Sequence, residues 1–227
     1  MKGFKNLLTV GLGFLAVWGS PITPVHDDNR TVGDRLATVL DSRVVPSEVK
    51  VAPWAGLGEG TTTEPTFIAE LSTVFAGAPS NADVAEYARK GYENMMKQKV
   101  QDKDTHLMAA LYIPNKKSIY LSSVPAKPAA KLIKDMGATQ APAWWSQVHN
   151  RQPSLYLHAE DGAAYLYEAS LSKKLAAGDK YPAGSFIAVY GVVNKQAKGP
   201  VGLCAGGGDQ PLNPPCSTVF TNLGVAF

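Results

Sequence analysis

The sequence predicts a single-domain α/β protein. Three observations predict this fold class: apolar residues at helical spacing from Val84 to Met96, two strand-like runs on either side of residues 114–117, and an almost uninterrupted apolar run at 184–193. Hydrophobic residues make up 45% of the chain, which is enough to build a core. A disordered protein is therefore excluded.

The first twenty residues are predicted to be a signal peptide. Lys2 and Lys5 precede an uncharged, largely apolar run over 6–18 that is too short to span a bilayer comfortably, and small residues follow at Gly19 and Ser20. Cleavage there leaves 20 Lys and Arg against 19 Asp and Glu. The mature chain is then nearly neutral, so its charge gives no specific indication of nucleic-acid or membrane binding. We expect a secreted, extracellular protein.

Residues 21–66 are predicted to form an extended, irregular arm, and residues 67–227 a single α/β domain. Five prolines and the glycine-rich run at 56–60 interrupt any regular pattern in the arm. The glycine run lacks the Gly-Lys-Ser/Thr ending of a phosphate-binding loop, and no strand pattern precedes it. A phosphate-binding loop is therefore not expected in the arm.

Capping residues and turn chemistry predict the elements of the first half of the domain. Ser80 and an acid in the first turn predict a helix over about 82–100. Strand-like runs at 106–113 and 118–122 flank a Pro-Asn-Lys-Lys turn and predict a β-hairpin. Pro128 and Gly137 are expected to begin and end a short helix with Met136 on its buried side. One or two further helical turns are predicted over 141–148.

The second half is predicted to contain two helices and the most apolar strand. One helix begins at His158 and continues to about residue 175, with Gly178 ending it. The run at 184–193 is expected to be a strand buried on both faces. A loop rich in glycine and proline contains Cys204, and a final helix is predicted to open at Pro215-Cys216.

The chain order of these elements resembles that of a known superfamily. A hairpin is followed by a helix bearing His158-x-Glu160, an apolar central strand and a helix opened by Pro215-Cys216. Over roughly residues 106–220 this order resembles the zinc-dependent deaminase superfamily, the cytidine-deaminase-like fold. The resemblance implies a three-layer core with the extra helices and the N-terminal arm outside it. It also implies a zinc cofactor and deamination of a nucleobase, nucleoside or nucleic acid.

The resemblance also implies roles for individual residues. His158 and Cys216 correspond to zinc ligands, and Glu160 to the catalytic proton shuttle. The family pattern Pro-Cys-x-x-Cys requires a second cysteine at position 219, where this chain has Val219. Cys204 is therefore the expected third metal ligand, supplied by the loop before the helix.

Two alternatives remain open at this stage. Cys204 and Cys216, in an oxidising compartment, are also the expected pair of a disulfide, which would abolish the metal site. The chain would then be a non-catalytic secreted effector or binding module. Metal-free acid/base hydrolysis by His158 and Glu160, for instance of RNA, is the second alternative.

If the chain is instead a secreted zinc-dependent deaminase, we expect it to be a toxin or effector with a host or microbial target.

Overall fold

Runs of β-forming residues build a six-stranded antiparallel sheet in the order β1-β2-β4-β3-β5-β6. The strands are β1 (Ala52–Pro53), β2 (Phe67–Ser72), β3 (His106–Ile113), β4 (Ser118–Ser123), β5 (Phe186–Val192) and β6 (Gly199–Val201). The computed structural model describes residues 45–54, 65–72, 77–98, 105–151, 157–204 and 213–227, all within the unit Val39–Phe227. The predicted signal peptide and residues 21–44 of the predicted arm lie outside the described residues.

The described ranges contain five α-helices. They are α1 (Asn81–Lys97), α2 (Lys127–Gln140), α3 (Pro142–Val148), α4 (Ala159–Ser170) and α5 (Cys216–Asn222). None of these helices combines the length and the apolar character that crossing a membrane requires. The mixed α/β class predicted from the sequence is confirmed.

Helices cover both faces of the sheet. Alternate residues of a strand point to opposite faces, and β3 accordingly contributes Leu111 to one hydrophobic cluster and Met108 to the other. The first cluster also contains buried side chains of α2, α3, α4 and α5, whereas the second contains those of α1. The apolar strand β5 contributes residues to both clusters, as predicted. Burial on both faces explains its nearly continuous apolar sequence.

The predicted helix α1 and the β3–β4 hairpin are confirmed. Ser80 Oγ accepts a hydrogen bond from Asp83 N, and Asp83 Oδ2 accepts one from Ser80 N, so the two residues form a capping box. In the hairpin, six residue pairs from Met108–Ser123 to Ile113–Ser118 are in antiparallel register. Both features depend on residues close in sequence, which is why sequence reasoning could find them.

Three predicted helix features were wrong. Gly137 does not end α2, which continues to Gln140; Pro142 is the next barrier, because the residue before a proline avoids helical geometry. Met136 is exposed, since the buried side of α2 is formed by Ala129, Ile133 and Gly137 at a spacing of four. Helix α4 ends at Ser170 rather than near 175.

Part of the predicted arm lies against α1. Val45, Val49 and Val51 are buried in the same cluster as the apolar side of α1. Lys90 Nζ donates a hydrogen bond to the Pro46 carbonyl at 2.6 Å, and Val51 N donates to Asn94 Oδ1 at 3.0 Å. These contacts tie residues 45–54 to the domain.

Helix α4 approaches β4 most closely at Gly162. A Cβ atom added there would lie 2.2 Å from Ser122 Oγ and 2.9 Å from Ser122 Cβ. We expect Gly162→Ala to lower the free energy of unfolding by about 1–3 kcal/mol, because this overpacking outweighs alanine's better helix propensity. Urea unfolding measures the change. Gly77→Ala is the control, since nothing lies within 4 Å of a Cβ added there. Equal stability of the two variants would contradict the close approach of Gly162 to Ser122.

Candidate metal centre

His158 is the N-cap residue of α4, and its backbone is held by an acid in the first turn. Its backbone is extended, with φ −96° and ψ 175°. The His158 N–H donates to Asp161 Oδ2 at 2.8 Å, which is the capping interaction that an acid at the third helical position provides. The start of α4 therefore fixes the direction in which the imidazole leaves the chain.

Cys216 is the first residue of α5, and Cys204 is held against it by the backbone. The Cys216 N–H donates to Cys204 Sγ at 3.0 Å, and the Ser217 N–H donates to the Cys204 carbonyl at 3.1 Å. Free N–H groups at a helix start carry partial positive charge and favour a thiolate there. The sulfur atoms of Cys204 and Cys216 therefore both lie at the N-terminal end of α5.

The starts of α4 and α5 bring His158, Cys204 and Cys216 together. The distance from Cys216 Sγ to His158 Nδ1 is 3.3 Å, and the potential ligand atoms of all three residues lie within 4.8 Å of one another. Both cysteines are free; their sulfurs are close but not bonded. These residues are close enough to bind a metal ion. Two thiolates and one imidazole are a donor set that suits zinc.

The three residues influence one another's protonation. The hydrogen bond from Cys216 lowers the pKa of the Cys204 thiol well below its usual range, whereas that interaction and burial raise the pKa of Cys216. Burial opposes a charged His158, but its interaction with Cys204 and the charges of Glu160 and Asp161 raise its pKa to about 9. The site thus already favours one thiolate, and metals bind cysteine in that form.

Glu160 is a buried carboxyl group close enough to His158 and Cys204 to interact with their charges. Its side chain is only 3% exposed, and its Oε2 atom has no hydrogen-bond partner among the described residues. Burial raises the pKa of Glu160 to about 7, although the charge of His158 lowers it. A buried oxygen without a partner is costly unless something else binds it. The side chain is therefore available to a molecule that enters the site.

A buried polar network supports the start of α4, and little in the sequence predicts it. Asp161 Oδ2 accepts from Arg151 Nη1 at 2.7 Å, and Asp161 Oδ1 accepts from Trp144 Nε1 at 3.0 Å. Asp161 and Arg151 are both fully enclosed. An acid at the third position of α4 is a recognisable capping signal, but nothing local to Arg151 or Trp144 predicts that they reach it.

Glu168 extends this support to α3. Its carboxylate accepts from the backbone N–H of Ala143 and Trp144, at 3.0 and 2.7 Å, and from Tyr181 Oη at 2.8 Å. A carboxylate that binds the free N–H groups of a helix start stabilises the helix. Glu168 therefore positions α3, whose Trp144 in turn binds Asp161.

The remaining histidines described by the structure do not join this cluster. The His149 ring contacts the Trp145 carbonyl at 3.2 Å and Asn150 Nδ2 at 2.7 Å. His106 begins β3 and is paired with Val192 in the sheet. Among the described residues, no second histidine therefore joins His158 and Glu160, the two residues of the metal-free alternative.

Comparison with protein-family models, with curated proteins and with solved structures gives no significant match to this chain. The function must therefore be inferred from the site itself.

Proposed function

We propose that this protein is a secreted zinc-dependent deaminase that acts on a nucleobase, nucleoside or nucleic acid. One observation carries the proposal: three residues suited to zinc meet at two helix starts, with a buried carboxyl group of unsatisfied hydrogen-bonding capacity beside them. The chain order of hairpin, α4, β5 and α5 supports it, because it resembles the order in the zinc-dependent deaminase superfamily.

His158, Cys204 and Cys216 are the residues that would hold the metal. A catalytic zinc site has three protein ligands and leaves one position open, and this cluster has three members. When bound, zinc lowers the pKa of a water molecule to about 7. The replacement of the family's second cysteine by Val219 is compensated in this proposal by Cys204.

Glu160 is proposed to move protons. Its carboxylate accepts a proton from the attacking water as the water oxygen bonds to the ring carbon that bears the amino group, and delivers that proton to the ring nitrogen. The second proton of the water, now on the new hydroxyl group, then passes through Glu160 to the amino group; the carbon–nitrogen bond breaks, and ammonia leaves as the carbonyl forms. The burial of Glu160 excludes bulk water from this exchange.

The deciding experiment combines metal content, thiol content and activity on one natively secreted sample. We expect about one zinc per chain, reduced cysteines, and ammonia release from at least one member of a panel of cytosine and adenine bases, nucleosides and oligonucleotides. Metal-free protein with no free thiol and no ammonia release would overturn the proposal. That result would favour the non-catalytic binding module with a Cys204–Cys216 bridge.

Substitution of the ligands provides a second prediction. His158→Ala and Cys216→Ser are each expected to lower the zinc content of purified protein to less than about a tenth of one per chain, because each leaves only two ligands. His149→Ala is the matched control, since that histidine lies outside the cluster. Inductively coupled plasma mass spectrometry measures the result. Equal zinc in all variants would show that metal binds elsewhere.

A secreted deaminase of this kind would be a toxin or effector directed at a host or microbial target. Secretion is inferred from the predicted signal peptide of residues 1–20. Edman sequencing of the mature secreted protein tests whether that peptide is removed.

A further inference from the structure

An open cavity lies at the end of α4 opposite the candidate metal centre. It has a volume of about 490 Å³ and lies beside Leu171, which directly follows the helix. The twelve residues of α4 rise by about 18 Å, so the two ends of the helix are too far apart for one small ligand to touch both. A volume of this size is typical of sites for small molecules.

Positive charge dominates the lining of this cavity. Lys116, Lys173 and Lys180 line it, and no acidic side chain does. Among the described residues none of these three lysines forms an ion pair. The neighbouring Lys174 already has partners. Its Nζ donates hydrogen bonds to the carbonyls of Glu168 and Ala169, and its charge interacts favourably with the negative C-terminal end of α4. The other three lysines are solvent-exposed, and their ammonium groups can bind an anion.

The lining also includes a buried phenol. Tyr167 is 1% exposed and lines the cavity. Its ring is held between Tyr120 and Tyr181, with centroid distances of 5.6 and 4.8 Å. A phenol hydroxyl on the cavity wall can donate a hydrogen bond to an acceptor oxygen of a ligand.

We propose that this cavity binds the phosphate group of a small phosphate monoester. Three lysine ammonium groups match the two negative charges of the group, and lysine is a common point-charge partner of phosphate. The Tyr167 hydroxyl donates a further hydrogen bond. Leu171, Leu175 and Pro182 complete the lining and provide apolar contact for the organic part of the ligand. The site is independent of zinc and of the proposed deamination.

Isothermal titration calorimetry at low ionic strength tests this site with three probes that carry no nucleobase: inorganic phosphate, ribose 5-phosphate and ribose. We expect both phosphate-bearing probes to bind saturably, the monoester more tightly, and ribose not to bind. Tighter binding of inorganic phosphate would identify the free ion as the ligand and overturn the monoester assignment. Absence of binding by both phosphate probes at millimolar concentration would overturn the site altogether.

Variants locate the binding. Combined Lys116→Gln, Lys173→Gln and Lys180→Gln substitution is expected to weaken phosphate binding by at least about tenfold, since it removes every positive charge of the lining. The matched control replaces three lysines of α2, Lys127, Lys131 and Lys134, and should change the affinity by less than about twofold. If both triple variants lost the same phosphate affinity, the loss would come from the lower net charge of the protein, and the proposed site would be refuted.

Tyr167→Phe provides a test in which the cavity keeps its charge and shape. We expect phosphate affinity to fall about threefold to tenfold, because one hydrogen bond is lost. Coincident urea unfolding curves for this variant and the unmodified protein would show that the fold is intact. An unchanged affinity in a folded Tyr167→Phe protein would contradict the role given to the hydroxyl.

Discussion

Replacing Asp161 with alanine is expected to lower the free energy of unfolding by about 3–5 kcal/mol, the largest stability effect that we predict. The carboxylate of Asp161 accepts hydrogen bonds from Arg151, Trp144 and the His158 backbone, and the Arg151–Asp161 pair is enclosed on both sides. Alanine removes the negative charge that compensates a buried guanidinium. Urea unfolding followed by tryptophan fluorescence measures the change.

A matched capping acid in α1 separates this effect from helix capping alone. Asp83 has the same third-position capping role, but it is only half-buried and its hydrogen bonds with Ser80 are exposed to solvent. Asp83→Ala is therefore expected to cost only about 1 kcal/mol. Asp161→Asn should cost nearly as much as Asp161→Ala, because the amide keeps the size of the side chain but loses its charge. Similar losses for Asp83→Ala and Asp161→Ala would mean that the buried ion pair contributes no more than an ordinary cap.

The largest expected effect on activity is that of Glu160→Gln. We expect ammonia release to fall by about 10²–10⁴-fold, which is the usual contribution of a positioned general acid or base. Glutamine has nearly the size of glutamate, so it fills the same buried space but cannot accept and return a proton. Zinc content should stay near that of the unmodified protein, because Glu160 is not one of the three proposed ligands.

Metal content and rate must be measured on the same preparation to interpret this variant. Glu93→Gln on α1 removes a carboxylate that pairs with Arg89 and is the control, with an expected rate change below about twofold. A Glu160→Gln enzyme that retains its rate would exclude Glu160 as the proton shuttle. Loss of zinc together with activity would instead make Glu160 a ligand.

Features that depend on neighbouring residues could be predicted. The capping box of Ser80 and Asp83 marks the start of α1, and the turn after Ile113 joins two runs of strand-forming residues. The apolar character of β5 indicated burial on both faces, which the two clusters confirm. Gly137 was wrongly predicted to end α2: it lies inside the helix, where a Cβ would lie 2.3 Å from Trp145 Cε3, so the glycine allows close packing there.

The order of elements along the chain and its resemblance to the zinc-dependent deaminase superfamily led to the prediction of His158, Glu160, Cys204 and Cys216 as site residues. Their meeting depends on the tertiary structure: His158 and Cys216 are 58 positions apart and touch because α4 and α5 pack into one hydrophobic cluster. The tertiary structure likewise decides that Glu160 is buried and that Arg151 pairs with Asp161. Packing of distant apolar surfaces sets those neighbours, and no local sequence pattern encodes it.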